Sequence, residues 1–294
     1  MLVSREKYKG MSKDNASQVA DRENYALYAQ YTYEFSPKFK TILGVREQFI
    51  EDMVKDQKIF LPQVQTLYKV NDNSSWYVNI GKAFQMPTLS DSMKKVSGEF
   101  APVSGKNLKP QEGWNYETGY KIINDANAWK FSLYYMDFKN MFAWEKDNGI
   151  DVRVNRGKFK NVGFEADYTA ILSDKFKTNL GFTWSNPKNL NASNVWEQTY
   201  PKFQVNAGVQ YTVDKWDTSL AFNWLTKRLK NRDGGTNPDL LNLNAVVNYH
   251  MDKDNYLTLN MNNILDKDNV ITKEKGEKLK QAITNSKGDR KSNV

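Results

Sequence analysis

The chain has no cysteine, a single histidine (His250) and nowhere a run of about 18 apolar residues. Without cysteine there is no disulfide framework, no thiolate metal site and no Cys nucleophile. With one imidazole besides, a transition-metal centre built from protein ligands is not expected, and any metal should arrive already chelated. No Ser or Asp motif orients His250, so it reads as a strand-end residue rather than a catalytic base. A Gly-rich phosphate loop, zinc-ligand spacing and G-x-S-x-G are all missing, so the sequence reads as a non-enzyme with no cofactor. The missing apolar run excludes a transmembrane helix. It does not exclude a membrane barrel, whose strands need about 9–11 residues and carry lipid-facing side chains only at every second position.

What is present is aromatic and polar together. The 294 residues include 16 Tyr, 15 Phe and 8 Trp, yet only 39% of the chain is hydrophobic. The formal charge is +8, but Lys and Arg are scattered and gather most densely in the tail Lys273 to Lys291, with no recognition helix around them. A nucleic-acid partner is therefore not expected.

Period-2 alternation dominates. Tyr25, Leu27, Ala29, Tyr31, Tyr33 and Phe35 share one face opposite Tyr28, Gln30, Thr32 and Glu34. Phe203, Val205, Ala207, Val209, Tyr211 and Val213 alternate likewise with Gln204, Asn206, Gly208, Gln210 and Thr212. The same template recurs at 76–84, 116–122, 129–138, 164–172, 176–184, 216–224, 241–249 and 257–261. Matches to this template predict about twelve strands.

The connections alternate between short and long. Short turns fall at Ser36-Pro37, Asn71-Asp72-Asn73, Asn124-Asp125-Ala126, Ser173-Asp174, Asp214-Lys215 and Asp252-Lys253-Asp254, all with turn-forming residues. Longer polar connections are predicted near 50–58, 85–113, 140–161, 186–201 and 227–239. An antiparallel, up-and-down transmembrane β-barrel has this asymmetry, with tight turns at the periplasmic rim and long loops outside. Aromatics at strand ends, Trp76 with Phe84, Trp129 with Phe138 and Trp216 with Trp224, match its two interfacial girdles. A soluble β-sandwich also alternates, but it requires neither feature.

Gly81-Lys82-Ala83-Phe84-Gln85-Met86-Pro87-Thr88-Leu89, then Asn107-Leu108-Lys109-Pro110, then Glu117-Thr118-Gly119-Tyr120-Lys121 form an ordered set. So do Asp137-Phe138-Lys139-Asn140, Asn155-Arg156-Gly157, Gly163-Phe164-Glu165 and Asn263-Ile264-Leu265-Asp266-Lys267. From about Glu23 to Lys267 the chain resembles the C-terminal half of TonB-dependent outer-membrane receptors, which show G-x-x-F-x-x-P-x-L, N-L-x-P, E-x-G-x-K and N-L-F-D-K segments in this order. The resemblance implies an outer-membrane location and uptake of a scarce chelated nutrient such as a ferric siderophore. It also implies as partners a plug domain, TonB acting through that plug, lipopolysaccharide and the ligand itself. Gly81, Phe84, Pro87, Asn107, Pro110, Glu117, Gly119, Lys121, Asn155, Gly163, Glu165, Asn263 and Asp266 then read as architectural, the Glu and Lys among them joining lumen-side polar networks. Loop residues Trp144, Arg153, Arg156, Trp196, Arg228 and Arg232 are the candidate ligand contacts, Arg for anionic oxygen-rich ligands and Trp for stacking.

Family members carry a signal, a TonB box, a plug and about 22 strands. This sequence shows none of the first three and about twelve strands, so it reads as a partial barrel: 1–23 an outer-loop remnant, 24–265 the barrel, 266–294 a polar lysine-rich tail. A passive porin-like channel and a soluble β-rich binding protein are the competing readings.

Overall fold

The computed structural model describes residues 2–11, 17–52, 55–89, 93–96, 99–102, 108–147, 150–190, 195–198, 201–226, 238–267 and Asn269. Among these every regular element is a strand. The first five are β1 (Leu2–Met11), β2 (Ser17–Ser36), β3 (Phe39–Asp52), β4 (Gln57–Lys69) and β5 (Ser74–Gln85). A small separate hairpin, β6 (Met93–Val96) with β7 (Glu99–Pro102), lies within the connection expected at 85–113. The chain continues with β8 (Gln111–Ile123), β9 (Asn127–Asp147), β10 (Ile150–Ser173) and β11 (Phe176–Ser185). Two three-residue strands, β12 (Lys188–Leu190) and β13 (Trp196–Gln198), precede β14 (Phe203–Val213), β15 (Trp216–Thr226), β16 (Leu240–His250) and β17 (Tyr256–Met261).

The main sheet is an antiparallel meander in sequence order, β1-β2-β3-β4-β5-β8-β9-β10-β11-β14-β15-β16-β17. Its first and last strands do not pair, so the sheet is open, a partial barrel. Twelve of its strands answer the alternation template and meet at the six expected tight turns. The turn chemistry explains why: Asp214 takes φ 49° between β14 and β15, a left-handed conformation that Asp tolerates better than most residues. Asn71 Oδ1 accepts from the Asn73 amide at 2.9 Å and from the Ser74 hydroxyl at 2.9 Å.

Register carries one apolar face across the sheet. Trp76, Tyr120, Phe131 and Ala166 are successive partners, as are Phe182, Val205, Trp224 and Leu241. This face is not covered: Tyr31 is 61% exposed, Leu133 55% and Phe35 59%. A soluble sandwich would turn such a face into a core. The opposite face is polar.

Three expectations are corrected by the geometry. Residues 140–161 are not a long loop: β9 and β10 continue as one hairpin arm, paired from Asn127↔Ala170 to Asp147↔Ile150. Trp129 and Phe138 do not bracket one face, because nine residues separate them and period 2 puts them on opposite sides. Phe138 pairs with Gly113 on the polar face. Leu2–Met11 is a strand, paired with β2 from Ala26 to Ser17, where a loop remnant is expected over 1–23. Of the tail 266–294, all but Asp266, Lys267 and Asn269 lies outside the described residues.

Candidate functional site

On the polar face, two neighbouring rows cross the sheet. One runs Tyr77, Gly119, Ser132, Glu165, Thr183 and the other Asn79, Glu117, Tyr134, Gly163, Ser185, each residue opposite the next. The Tyr77 ring lies over Gly119, where a Cβ would meet its Cζ at 2.5 Å, and the Tyr134 ring lies over Gly163 in the same way. Only glycine leaves room for a ring flat against the neighbouring strand. The Tyr77 hydroxyl donates to Glu117 Oε1 at 2.6 Å, and the Lys121 ammonium stands 5.2 Å from its ring centroid. The E-x-G-x-K motif is therefore a seat for one tyrosine: an acceptor for the hydroxyl, a bare backbone under the ring and a cation at its face. Beside it opens a groove of about 460 Å³ that also reaches Lys40 and Lys130. Three ammonium groups there suit an anionic or carbonyl-rich surface rather than an apolar one.

A second cluster ties together motifs far apart in sequence. Asn140 has φ 60° and drops out of the β9–β10 register, as does Arg156. Asn155 Oδ1 accepts from the Lys109 amide at 2.6 Å, while its Nδ2 donates to the carbonyls of Lys109 at 2.8 Å and Asn140 at 2.7 Å. Pro87, Leu89, Leu108 and Pro110 are buried; Asn107 lies outside the described residues. Asn263 (φ 51°) exchanges two hydrogen bonds with the Lys267 backbone, at 3.0 and 3.3 Å, and its carbonyl accepts from the Asp266 amide at 2.8 Å. Each of these is a local backbone device. Gly81 is different: a Cβ there would meet only Gln63 at an ordinary 3.7 Å. Phe84 lies on the apolar face, opposite Glu112.

Among the described residues, the candidate ligand contacts lie in two separate places. Trp144 and Arg153 are direct register partners in the arm formed by β9 and β10, and Arg156 is exposed at the bulge below them. Trp196 is elsewhere: through Leu190 it is in register with Lys158, on the apolar side, and the Lys160 ammonium stands 5.7 Å from its ring centroid. Arg228 and Arg232 lie outside the described residues. His250 is exposed at the short-turn rim, its ring 6.0 Å from that of Tyr256. No group of three potential metal ligands occurs among the described residues. The residues that sequence reasoning missed are Tyr77, Ser132 and Tyr134. The signal for the two tyrosines was an aromatic on the polar phase of its strand, with a glycine one strand over; Ser132 carried none.

The family described as TonB dependent receptor-like, beta-barrel matches residues 4–264. An uncharacterized TonB-dependent receptor of Haemophilus influenzae is 24% identical over 225 residues, covering 69% of this chain and 62% of that protein. The metal-pseudopaline receptor CntO of Pseudomonas aeruginosa is 21% identical over 271 residues, 82% of this chain and 37% of its own length. Among solved structures, the copper transporter OprC superposes with a TM-score of 0.71 at 16% identity, over 91% of this chain and 47% of its own. The ferric enterobactin receptor PfeA of Pseudomonas aeruginosa gives 0.68 at 17% identity, over 86% and 41%. The chain thus spans less than two thirds of the length of the curated relatives it matches.

Proposed function

The chain belongs to the TonB-dependent receptor β-barrel family, and on that premise we propose that it forms barrel wall of an outer-membrane receptor that imports a scarce metal as a preformed chelate, a ferric-siderophore-like ligand. The observation that carries this reading is the division of the sheet into an uncovered apolar face and a polar face that holds the Tyr77–Glu117–Lys121 seat. The first face suits hydrocarbon and the second a polar occupant of the lumen. That occupant is a plug domain, which TonB would engage, docked against Lys40, Lys121 and Lys130. The arm at Trp144, Arg153 and Arg156 stands beyond the outer rim, where planar guanidinium donors suit an anionic chelate. Relatives named as metal-pseudopaline and ferric-pyoverdine receptors support a chelate as cargo. In this reading the protein is a transporter rather than an enzyme, and the metal comes with the ligand.

The test is radio-iron uptake from a panel of siderophores by cells carrying the native gene. Saturable uptake should require TonB. It should fall on the order of a hundredfold when Arg153 and Arg156 are both changed to Gln, at about 1.5 kcal/mol or more for each charge-assisted hydrogen bond lost. Uptake that persists without TonB and does not saturate would instead mark a passive channel.

A further inference from the structure

The polar face is not uniform around the sheet. Across β8, β9 and β10 it carries charges and a ring: Glu117, Lys121, Lys130, Tyr134, Glu165 and Asp167. On β14, β15 and β16, four successive rows on the same face carry neither, from the row of Gln204 to the row of Gln210. The middle two are Asn206, Asn223 and Asn242, then Gly208, Ala221 and Asn244. β11 widens this wall with Asn179, whose carboxamide lies over Gly208. Charge returns toward the short turns, at Lys177 and Asp217. At about 3.3 Å per residue and a tilt near 40°, the neutral rows span about 15 Å along the barrel axis, half of a hydrocarbon core about 30 Å thick. Four strands about 4.8 Å apart make the wall about as wide as it is tall.

Carboxamides give this wall a chemistry of its own. Each offers donors and an acceptor together, so it exchanges hydrogen bonds with a solute of either polarity, and those bonds are neutral. The groove of Lys40, Lys121 and Lys130 on the other wall would hold an anion by charge-assisted bonds, roughly twice as strong. A conducting path must bind a solute well enough to admit it and weakly enough, at several sites, to release it. Only the neutral wall meets the second condition. One group there also lacks a donor: Asn242 is 8% exposed, stands opposite Asn223, and its Oδ1 has no hydrogen-bond partner. A buried acceptor left unpaired is costly, and a donor on the lumen side would satisfy it.

We propose that β11 with β14, β15 and β16 forms the passage side of the lumen, along which a polar, hydrogen-bonding chelate moves from carboxamide to carboxamide. The charged wall from β3 to β10 stays covered by the plug meanwhile. The assignment rests on the reading of the chain as receptor wall around a plug. Asn206, Asn223 and Asn244 are then the groups that solvate the cargo in transit.

The experiment uses the full-length receptor in cells. The chain has no cysteine, so a cysteine placed at Asn206, Asn223 or Asn244 marks one wall, and one at Gln65 or Asn115 marks the other. Labelling of any thiol elsewhere in the receptor is measured in the unsubstituted parent and subtracted. The probe is a membrane-impermeant anionic maleimide, added outside while radio-iron uptake from the siderophore panel is followed in the same cells. Labelling at the three asparagine positions should accelerate when TonB drives uptake, and labelling at Gln65 and Asn115 should not. Asn206→Lys turns a neutral contact into a charge-assisted one and should lower the maximal uptake rate about fivefold without raising the half-saturating concentration. Gln65→Lys should change neither, and immunoblotting of the outer membrane separates a slowed receptor from a misfolded one. Equal acceleration at Gln65 and Asn115, or none at the asparagines while uptake runs, overturns the proposal. Uptake that does not need TonB fails the receptor reading instead. The maleimide then enters by itself and should still label the asparagine wall first, and the reverse order overturns the proposal.

Discussion

Replacing Gly119 with alanine tests how the tyrosine seats hold the sheet. The new Cβ would stand 2.5 Å from Tyr77 Cζ and 2.6 Å from the Phe131 carbonyl, closer than real contacts allow, so the ring must swing away. Three things go with it: the hydrogen bond to Glu117, worth about 1.5–3 kcal/mol for a charged acceptor, the cation–π contact with Lys121, worth about 0.5–1 kcal/mol at an exposed site, and the packing of the ring on the strand. Against this, alanine restricts the unfolded chain and returns about 0.4–1 kcal/mol. The expected net destabilisation is about 2–3 kcal/mol. Denaturant unfolding in micelles, followed by near-UV dichroism of the tyrosines, measures it. A double-mutant cycle decides the cause: with Tyr77 already alanine, Gly119→Ala should cost clearly less than in the parent, only the contact with the Phe131 carbonyl remaining. If the two losses simply add, the ring is not what requires glycine, and the account of the E-x-G-x-K motif is wrong.

Leu133, at mid-height of the apolar face and 55% exposed, should cost about 2–4 kcal/mol when changed to Arg, as charges facing lipid do in membrane barrels. Gln210→Arg on the polar face should cost little, and equal costs in a lipid-bilayer folding assay would refute the assignment of faces. At the opposite rim, the Asp252 carboxylate accepts from the backbone amides of Asp254 and Asn255, both at 2.9 Å, and from the Asn255 side chain. These bonds, the Asp254 amide foremost, hold its pKa below the ordinary carboxylate range. A lowered folded-state value means that the turn's stabilisation is complete above the unfolded value of about 3.9 and fades as pH falls below it. Carboxylate NMR titration checks this, and a value at or above the ordinary range would contradict it.

Much of the fold was legible in the sequence because one face of each strand must be apolar and the other polar, a constraint that writes itself into every second residue. Where that constraint lapses, so does legibility. The arm from Met141 to Arg156 stands beyond the apolar band, so neither face imposes a pattern and its strands read as loop. Trp129 and Phe138 match in size and stand near the two ends of β9, but parity alone decides a face. Trp196 reads as a ligand contact because it is a tryptophan in a long connection, yet pairing through β12 and β13 carries it to the apolar side. The motif order was readable, but its reason was not: Tyr77 and Tyr134 are aromatics out of phase with their strands, and only the neighbouring strand shows the glycine each one covers.

Asn155 is a mechanical fastening. Its single side chain grips the Lys109 backbone on one side and the bulge at Asn140 on the other, so the base of the arm and the segment leading into β8 are fastened by one rivet. Above it, the two strands of the arm pair with each other as far as Asp147↔Ile150. A load applied at the tip near Trp144 and Arg153 would be levered about this point and delivered to Leu108-Lys109-Pro110, some 45 residues away along the chain yet adjacent in space. Loading at the rim and displacement inside the wall would then be two ends of the same beam.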